Sequence, residues 1–227
     1  MRSGVSVIIP ALNEAESIGF VVQSMPWAII DECIVVDNGS TDGTAEIAAA
    51  AGARVVKSPR GFGAAMYAGS LAALETSEIL VFMDGDGADV ITEMPNLLGP
   101  VQRDEVDFAI GSRIRGKREP GSMLASQVFA GQLIGWLVNI FYGFRYTDMG
   151  AFRVVRRNAL QRMNMTEMTY GWNLEMQIKA VQQKLRILEL PVPYRCRIGG
   201  ESKVSGNLSA SFKAATRIFG VLIRTRR

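Results

Sequence analysis

Asp84 and Asp86 stand one residue apart, directly after the apolar run Ile79-Leu80-Val81-Phe82-Met83. The run reads as a buried strand, and Asp-Gly-Asp follows where the strand should stop. Two carboxylates flanking a small residue at the carboxyl end of a strand suit a hard divalent cation. Mg²⁺ takes oxygen ligands, uses few protein carboxylates and completes its shell with water and phosphate oxygens. Open α/β sheets bind ligands at the carboxyl ends of their strands. The pair therefore points to a metal-held diphosphate, or equally to a polar turn that only closes the strand, since Asp and Gly both favour turns.

Other polar residues collect at the ends of apolar runs. Val5 to Ile9 is followed by Pro10, Ala11, Asn13 and Glu14, and Glu32 to Val36 by Asp37. If these strands are parallel, the residues meet Asp84 and Asp86 on one edge of a sheet. Several carboxylates with glycine-rich turns suit a base, a ribose and a metal-bound diphosphate, and a cation would relieve their repulsion. The turn Gly61-Phe62-Gly63 lies near the same edge. It matches neither the dinucleotide fingerprint nor the phosphate-binding loop, which argues against a Rossmann dehydrogenase and a P-loop NTPase. The chain has no histidine. That excludes Ser-His-Asp and Cys-His nucleophilic sites and any His-ligated metal.

These residues need a scaffold. With 48% hydrophobic and 21% charged residues among 227, the chain reads as globular with a large core. Strands at Val5 to Ile9, Glu32 to Val36, Ala53 to Lys57, Ile79 to Met83 and Val106 to Ile110 alternate with helices. The helices begin near Asn13 and Gly43 (capped by Asp42), after Gly63, and at Glu93. This is the α/β pattern of a mostly parallel, Rossmann-like sheet flanked by helices. Residues 112–122 read as a charged loop. Met123 to Phe144 carries no charge and is long enough to span a bilayer, which takes roughly 20 residues. Gln127, Gly131, Gly135 and Asn139 form a small and polar stripe along it, which favours packing on protein or an interface over a span. A strand-like stretch from Asp148, a helix at Gly171 to Lys184 and a strand at Arg186 to Leu190 follow. Pro191 and Pro193 restrict what comes next to an edge or loop. Residues 199–206 read as a basic loop. From Leu208 the tail is amphipathic, with Phe212, Ala215, Phe219 and Leu222 on one face. No signal peptide is expected before the first strand.

A net charge of +3 and a pI near 9.0 are too mild to call for nucleic acid. Arg113, Arg115, Lys117 and Arg118 form one basic cluster, and Arg217, Arg224, Arg226 and Arg227 another. They could meet phosphates or an anionic membrane, or simply water. The uncharged helix and basic tail fit peripheral membrane contact, or alternatively a homo-oligomer or core contact. Cys33 and Cys196 read as small buried hydrophobes in a reducing compartment.

Val5-Ser6-Val7-Ile8-Ile9-Pro10-Ala11-Leu12-Asn13-Glu14 resembles the opening of family 2 glycosyltransferases, as does Val35-Val36-Asp37-Asn38-Gly39-Ser40-Thr41-Asp42-Gly43-Thr44. Met83-Asp84-Gly85-Asp86 is similar to their metal motif. Gly111-Ser112-Arg113, Asp148-Met149-Gly150-Ala151-Phe152-Arg153 and Gly200-Glu201-Ser202-Lys203-Val204-Ser205 resemble the dolichyl-phosphate mannose synthase and polyprenyl-phosphate glycosyltransferase branch. The resemblance covers about residues 5–205. It implies a GT-A fold and inverting, metal-dependent transfer of a hexose from a UDP- or GDP-linked sugar. The acceptor would be a polyprenyl or dolichyl phosphate at the cytoplasmic membrane face. Residues 1–112 would bind the nucleotide sugar, 113–205 the acceptor, and 206–227 would form the amphipathic basic tail. Pro10, Ala11, Asn13, Glu14, Asp37, Gly61, Gly63, Asp84 and Asp86 would line the donor, with Asp37 at the base. Asp84, Asp86 and Asp89 would serve Mg²⁺ or Mn²⁺. Arg113, Arg115, Arg153 and Lys203 would bind phosphate, and Asp86, Arg113 and Arg153 would carry catalysis.

Two positions depart from the pattern. Ala88 stands where relatives often have a further metal ligand, and Asp89 is the nearest substitute. Trp172-Asn173 stands where relatives that glycosylate hydroxyls usually carry an acidic pair, with Glu175 the nearest carboxylate. A hydroxyl nucleophile benefits from a base, whereas a phosphate monoester is already an anion. The missing pair favours a phosphate acceptor. The alternatives are a soluble hydroxyl acceptor, with Glu175 or Asp148 as base, and a sugar nucleotidyltransferase.

Overall fold

The computed structural model describes residues 3–199 together with Gly220, Val221 and Thr225. Its strands are β1 (Gly4–Ala11), β2 (Glu32–Asp37), β3 (Arg54–Lys57), β4 (Ser77–Phe82), β5 (Phe108–Ser112), β6 (Arg153–Arg156) and β7 (Ile187–Pro191). They form one sheet in the order β3-β2-β1-β4-β6-β5-β7. β1 pairs parallel with β2 and β4, β2 with β3, and β5 with β7. Only β6 is reversed, antiparallel to both β4 and β5.

The strands are apolar on both faces because helices cover both. Ile8, Ile34, Val36, Leu80, Phe82 and Phe108 point to one side, where α3 (Phe62–Ala72), α5 (Ala125–Tyr142), α6 (Arg157–Met163) and α7 (Trp172–Gln182) pack. Val7, Ile9, Val35, Val81, Ala109 and Val154 point to the other, under α1 (Ile18–Gln23), α2 (Thr44–Ala50) and α4 (Met94–Gln102). The two-residue period of strand side chains produces this division.

Several expected boundaries move. The first helix starts at Ile18 because Asn13 adopts φ +52°, which no helix accepts, and residues 13–17 form a turn. Asp42 does bond the start of α2, accepting from the Thr44 amide (3.1 Å), but Gly43 takes the cap position. The fifth strand lies two residues later than expected. The stretch from Asp148 becomes regular only at Arg153. β7 is the edge strand that its terminal proline permits. Cys33 is buried as expected, but Cys196 is exposed. The expected basic loop beyond residue 199, Lys203 within it, and the amphipathic tail lie outside the described residues, apart from three positions. Of these, Val221 is buried in the core.

The uncharged segment forms α5. Gly131 and Gly135 face the protein, alongside Ile134 and Val138. A Cβ on Gly135 would stand 1.9 Å from the Tyr146 carbonyl oxygen. The other two members of the expected stripe, Gln127 and Asn139, are exposed, and Gln127 instead accepts the Leu124 amide at the helix start. The outer face presents Phe129, Leu133, Trp136, Ile140 and Phe141, each 42–67% exposed. Among the described residues no helix is long and apolar enough to cross a membrane.

Gly135→Ala should therefore push α5 away from the Tyr146 backbone and lower stability by about 1–3 kcal/mol. Leu133→Ala, on the outer face, should change it by less than about 0.5 kcal/mol. Thermal unfolding of the two variants checks both.

Candidate active site

The carboxyl ends of β1, β2 and β4 lie side by side. Ala11 is level with Asp37, and Ile8 with Phe82. The loop after β1 is fastened to the loop after β2. The Asn13 side chain accepts the Thr41 amide (2.9 Å), the Asn13 amide donates to Ser40 Oγ (3.0 Å), and the Glu14 amide donates to Thr44 Oγ1 (2.9 Å). Asp37 is buried and accepts the Ser40 amide. Ser17 Oγ donates to the Gly85 carbonyl (2.9 Å), which ties the first loop to the Asp84-Gly85-Asp86 turn. Pro10, Ala11, Asn13, Glu14 and Asp37 are thus brought to the same sheet edge as Asp84 and Asp86.

In the acidic turn, Asp89 folds back so that its Oδ2 accepts the Asp84 amide (3.1 Å). Asp86 Oδ1 accepts the Ala88 amide (2.9 Å), and its Oδ2 receives Arg197 (2.7 Å). Burial, then the charges of Asp86 and Asp89, push the Asp84 carboxyl well above the usual carboxylate range. Asp89 is raised to about 6, again by burial first and with Asp86 adding to it. Three carboxylates this close resist ionising together. Among the described residues no three acidic side chains converge as a ready-made metal cage. The donor set is one of hard oxygens carrying an excess of negative charge. It fits a divalent cation that keeps several water or phosphate ligands.

Arg113 sits opposite, at the end of β5. Its Nε and one terminal nitrogen fork onto Asp148 at 2.7 and 2.8 Å, and its own amide donates to the same carboxylate. The guanidinium lies 5.0 Å from the Tyr194 ring centre. Burial acts to raise the Asp148 carboxyl, but Arg113 and two amides outweigh it and hold the group below the ordinary range. Asp148 therefore orients Arg113, a pairing that nothing in the local sequence signals.

Other expected site residues are engaged within the fold. Arg153 is fully buried. Its guanidinium donates to the main-chain carbonyls of Asn173 and Gly150, and burial lowers its pKa to about 10. It joins β6 to the start of α7 through these bonds. Gly61 and Gly63 are close-packing residues. Their added Cβ atoms would meet the Met168 and Glu167 carbonyl oxygens at 2.4 and 2.2 Å. Their amides are taken by Asn38 Oδ1 and the Thr169 carbonyl. Arg115 turns away to the Glu189 carbonyl. Glu175 is 1% exposed. Both of its oxygens are engaged by Thr166, and they also take the Glu167 amide and Lys179.

Residues 6–168 match the model of glycosyl transferase family 2. The chain belongs to this family. An uncharacterized glycosyltransferase of Mycobacterium tuberculosis is 35% identical over 221 residues, 96% of this chain and 97% of that one. The undecaprenyl-phosphate mannosyltransferase of Micrococcus luteus is 30% identical, covering 90% and 88% of the two chains. The crystal structure of M. tuberculosis glucosyl-3-phosphoglycerate synthase with Mn²⁺, UDP-glucose and phosphoglyceric acid superposes with a TM-score of 0.77. It is 21% identical and covers 99% of this chain and 80% of that one. The glycosyltransferase thus has the GT-A fold that its motifs imply.

Asp148→Asn should destabilise the enzyme by about 3 kcal/mol at neutral pH, because it leaves Arg113 poorly paired. The wild-type contribution is present above the unfolded Asp pKa of about 3.9. It is lost as pH falls through the lower folded value. The gap between the two proteins should therefore close in acid, as denaturant titrations at stepped pH would reveal.

Proposed function

We propose that this glycosyltransferase moves a hexose, with inversion, from a UDP- or GDP-linked sugar to a polyprenyl phosphate, using Mg²⁺ or Mn²⁺. The observation that carries the choice of acceptor is that, among the described residues, no carboxylate stands free at the start of α7 to act as a base. Asn173 and the buried Trp172 stand where a hydroxyl acceptor would need a carboxylate, and the oxygens of Glu175 are engaged. An anionic phosphate needs no base; it needs a cation to receive it, and Arg113 is held ready by Asp148. The polyprenyl-phosphate relative supports the same reading.

In this reading Pro10, Ala11, Asn13, Glu14 and Asp37 line the nucleotide. Asp84 and Asp86 hold the cation, with Asp89 behind them. A bound cation would neutralise the charge that the diphosphate gains as the glycosidic bond breaks. Arg113 receives the acceptor phosphate, and Lys203 is assigned with it. The acceptor oxygen forms the new bond to the anomeric carbon as the bond to the donor diphosphate breaks on the opposite side.

The exposed apolar face of α5 supports peripheral contact with the cytoplasmic face of a membrane. Trp136 and the phenylalanines have the character of interfacial side chains, and Lys117, Arg118 and Arg145 flank the helix. A soluble acceptor is the second reading, favoured by the phosphoglyceric acid in the solved neighbour.

With UDP-glucose or GDP-mannose as donor, transfer to undecaprenyl phosphate should exceed transfer to phosphoglycerate and other soluble acceptors. The reverse result sinks the lipid reading. Asp86→Ala should lower transfer by about 10²–10³-fold with its melting transition retained. A paired Leu133→Glu, Trp136→Glu variant should lose co-sedimentation with anionic vesicles. Unchanged vesicle binding, or a dimer in sedimentation that the variant breaks, would reassign the face.

A further inference from the structure

Asp86 already has a cation. Arg197 reaches it across the mouth of the site and donates to Oδ2 at 2.7 Å. The contact is built by the backbone. Asp89 and Tyr194 form an antiparallel bridge, the Arg195 amide donates to the Ala88 carbonyl (3.0 Å), and the Ile198 amide donates to the Asp86 carbonyl (3.0 Å). Residues 194–198 are thereby zipped along the acidic turn, and the Ile198 side chain lies over Gly87, where a Cβ would meet it at 2.4 Å. The ion pair is partly enclosed, with side chains 30% and 9% exposed. The second terminal nitrogen of Arg197, NH1, is buried and has no hydrogen-bond partner among the described residues. A buried guanidinium nitrogen left unpaired costs free energy. It marks a donor whose acceptor is missing beside the turn where a diphosphate would lie.

We infer that Arg197 occupies the place at Asp86 that the divalent cation takes. The free enzyme thus guards its metal carboxylate with its own guanidinium and takes up the cation strongly only together with a nucleoside diphosphate. The inference rests on the cation reading proposed above. Cation and guanidinium compete for one carboxylate oxygen, so a cation arriving alone must break a charge-assisted bond and leave Arg197 unpaired. A diphosphate arriving with it supplies oxygens both for the cation and for the displaced guanidinium, including the nitrogen that now has no acceptor. Metal and nucleotide then raise each other's affinity by the same factor. Nothing in the local sequence marks Arg197, because its partner lies 111 residues earlier.

The test is a Mn²⁺ titration of the full chain followed by the electron paramagnetic resonance of free Mn²⁺, without nucleotide and then with UDP or GDP. Arg197→Gln should bind Mn²⁺ alone about tenfold more tightly than the wild type, the scale of one charge-assisted bond removed from competition. Nucleotide should tighten Mn²⁺ binding of the wild type more than that of the variant. Arg197→Lys, which keeps the charge, should fall between them. Arg195→Gln, an exposed neighbour, should match the wild type. Equal or weaker Mn²⁺ binding by a cooperatively melting Arg197→Gln overturns the inference. So does a matching gain in Arg195→Gln, which would mark a general charge effect. Absence of Mn²⁺ binding in every protein, with either nucleotide present, would remove the cation reading itself and this inference with it.

Discussion

Repulsion among the carboxylates of Asp84, Asp86 and Asp89 is the constraint around which the site is arranged. The parallel register of β1, β2 and β4 brings their carboxyl ends to one edge, and the turn after β4 then buries Asp86 and Asp89 and half-buries Asp84. The shifts of Asp84 and Asp89 express the cost of that placement. A fold tolerates such a cluster where positive charge answers it. Here the answer comes from outside the parallel half of the sheet, from Arg113 at the end of β5 and from Arg197 on the segment after β7.

The reversed strand makes that answer possible. β6 inserts antiparallel between β4 and β5, so the chain enters it from the loop that carries Asp148. Asp148 is thereby placed against Arg113, 35 residues earlier, and fixes its guanidinium in a two-bond fork. Arg153, at the start of the same strand, holds the Gly150 and Asn173 carbonyls from within the core. One arginine of that loop-and-strand region is left facing the site and the other becomes internal bracing. Side-chain chemistry alone does not distinguish them.

The same division of labour appears in α5. Small residues on its inner side, beside the buried Ile134 and Val138, let the helix backbone approach Tyr146, and its aromatic residues Phe129, Trp136 and Phe141 are on the outside. The exposed outer face is therefore a product of how the helix packs. The proposed acceptor is a lipid, which joins this face and the basic loop before it in one reading.

Much of the parallel part of the sheet was legible locally. Apolar runs of strand length, each ended by Pro, Asp or Gly, specified four parallel strands. The two-residue period of each strand then divides its apolar side chains between the two faces. Asn13, Glu14, Asp37, Asp84 and Asp86 follow from that, because a residue at a strand's carboxyl end is placed by its strand. The family motifs carried the fold class for the same reason. Asn38, which accepts the Gly61 amide and shapes the next loop, sat inside a quoted motif without its role being visible.

What the amino-acid sequence determined by itself was therefore the two-residue and helical periodicities, the turn chemistry, and the presence of a carboxylate pair at a strand end. Tertiary structure alone decided which cations meet those carboxylates. It set Asp148 against Arg113, drew Arg197 across to Asp86, withdrew Arg153 into the core and engaged the amides of Gly61 and Gly63. The physical reason is range. Periodicity and turns depend on neighbours in the chain, whereas pairing and burial depend on which distant surfaces the packed sheet brings within about 3 Å of each other.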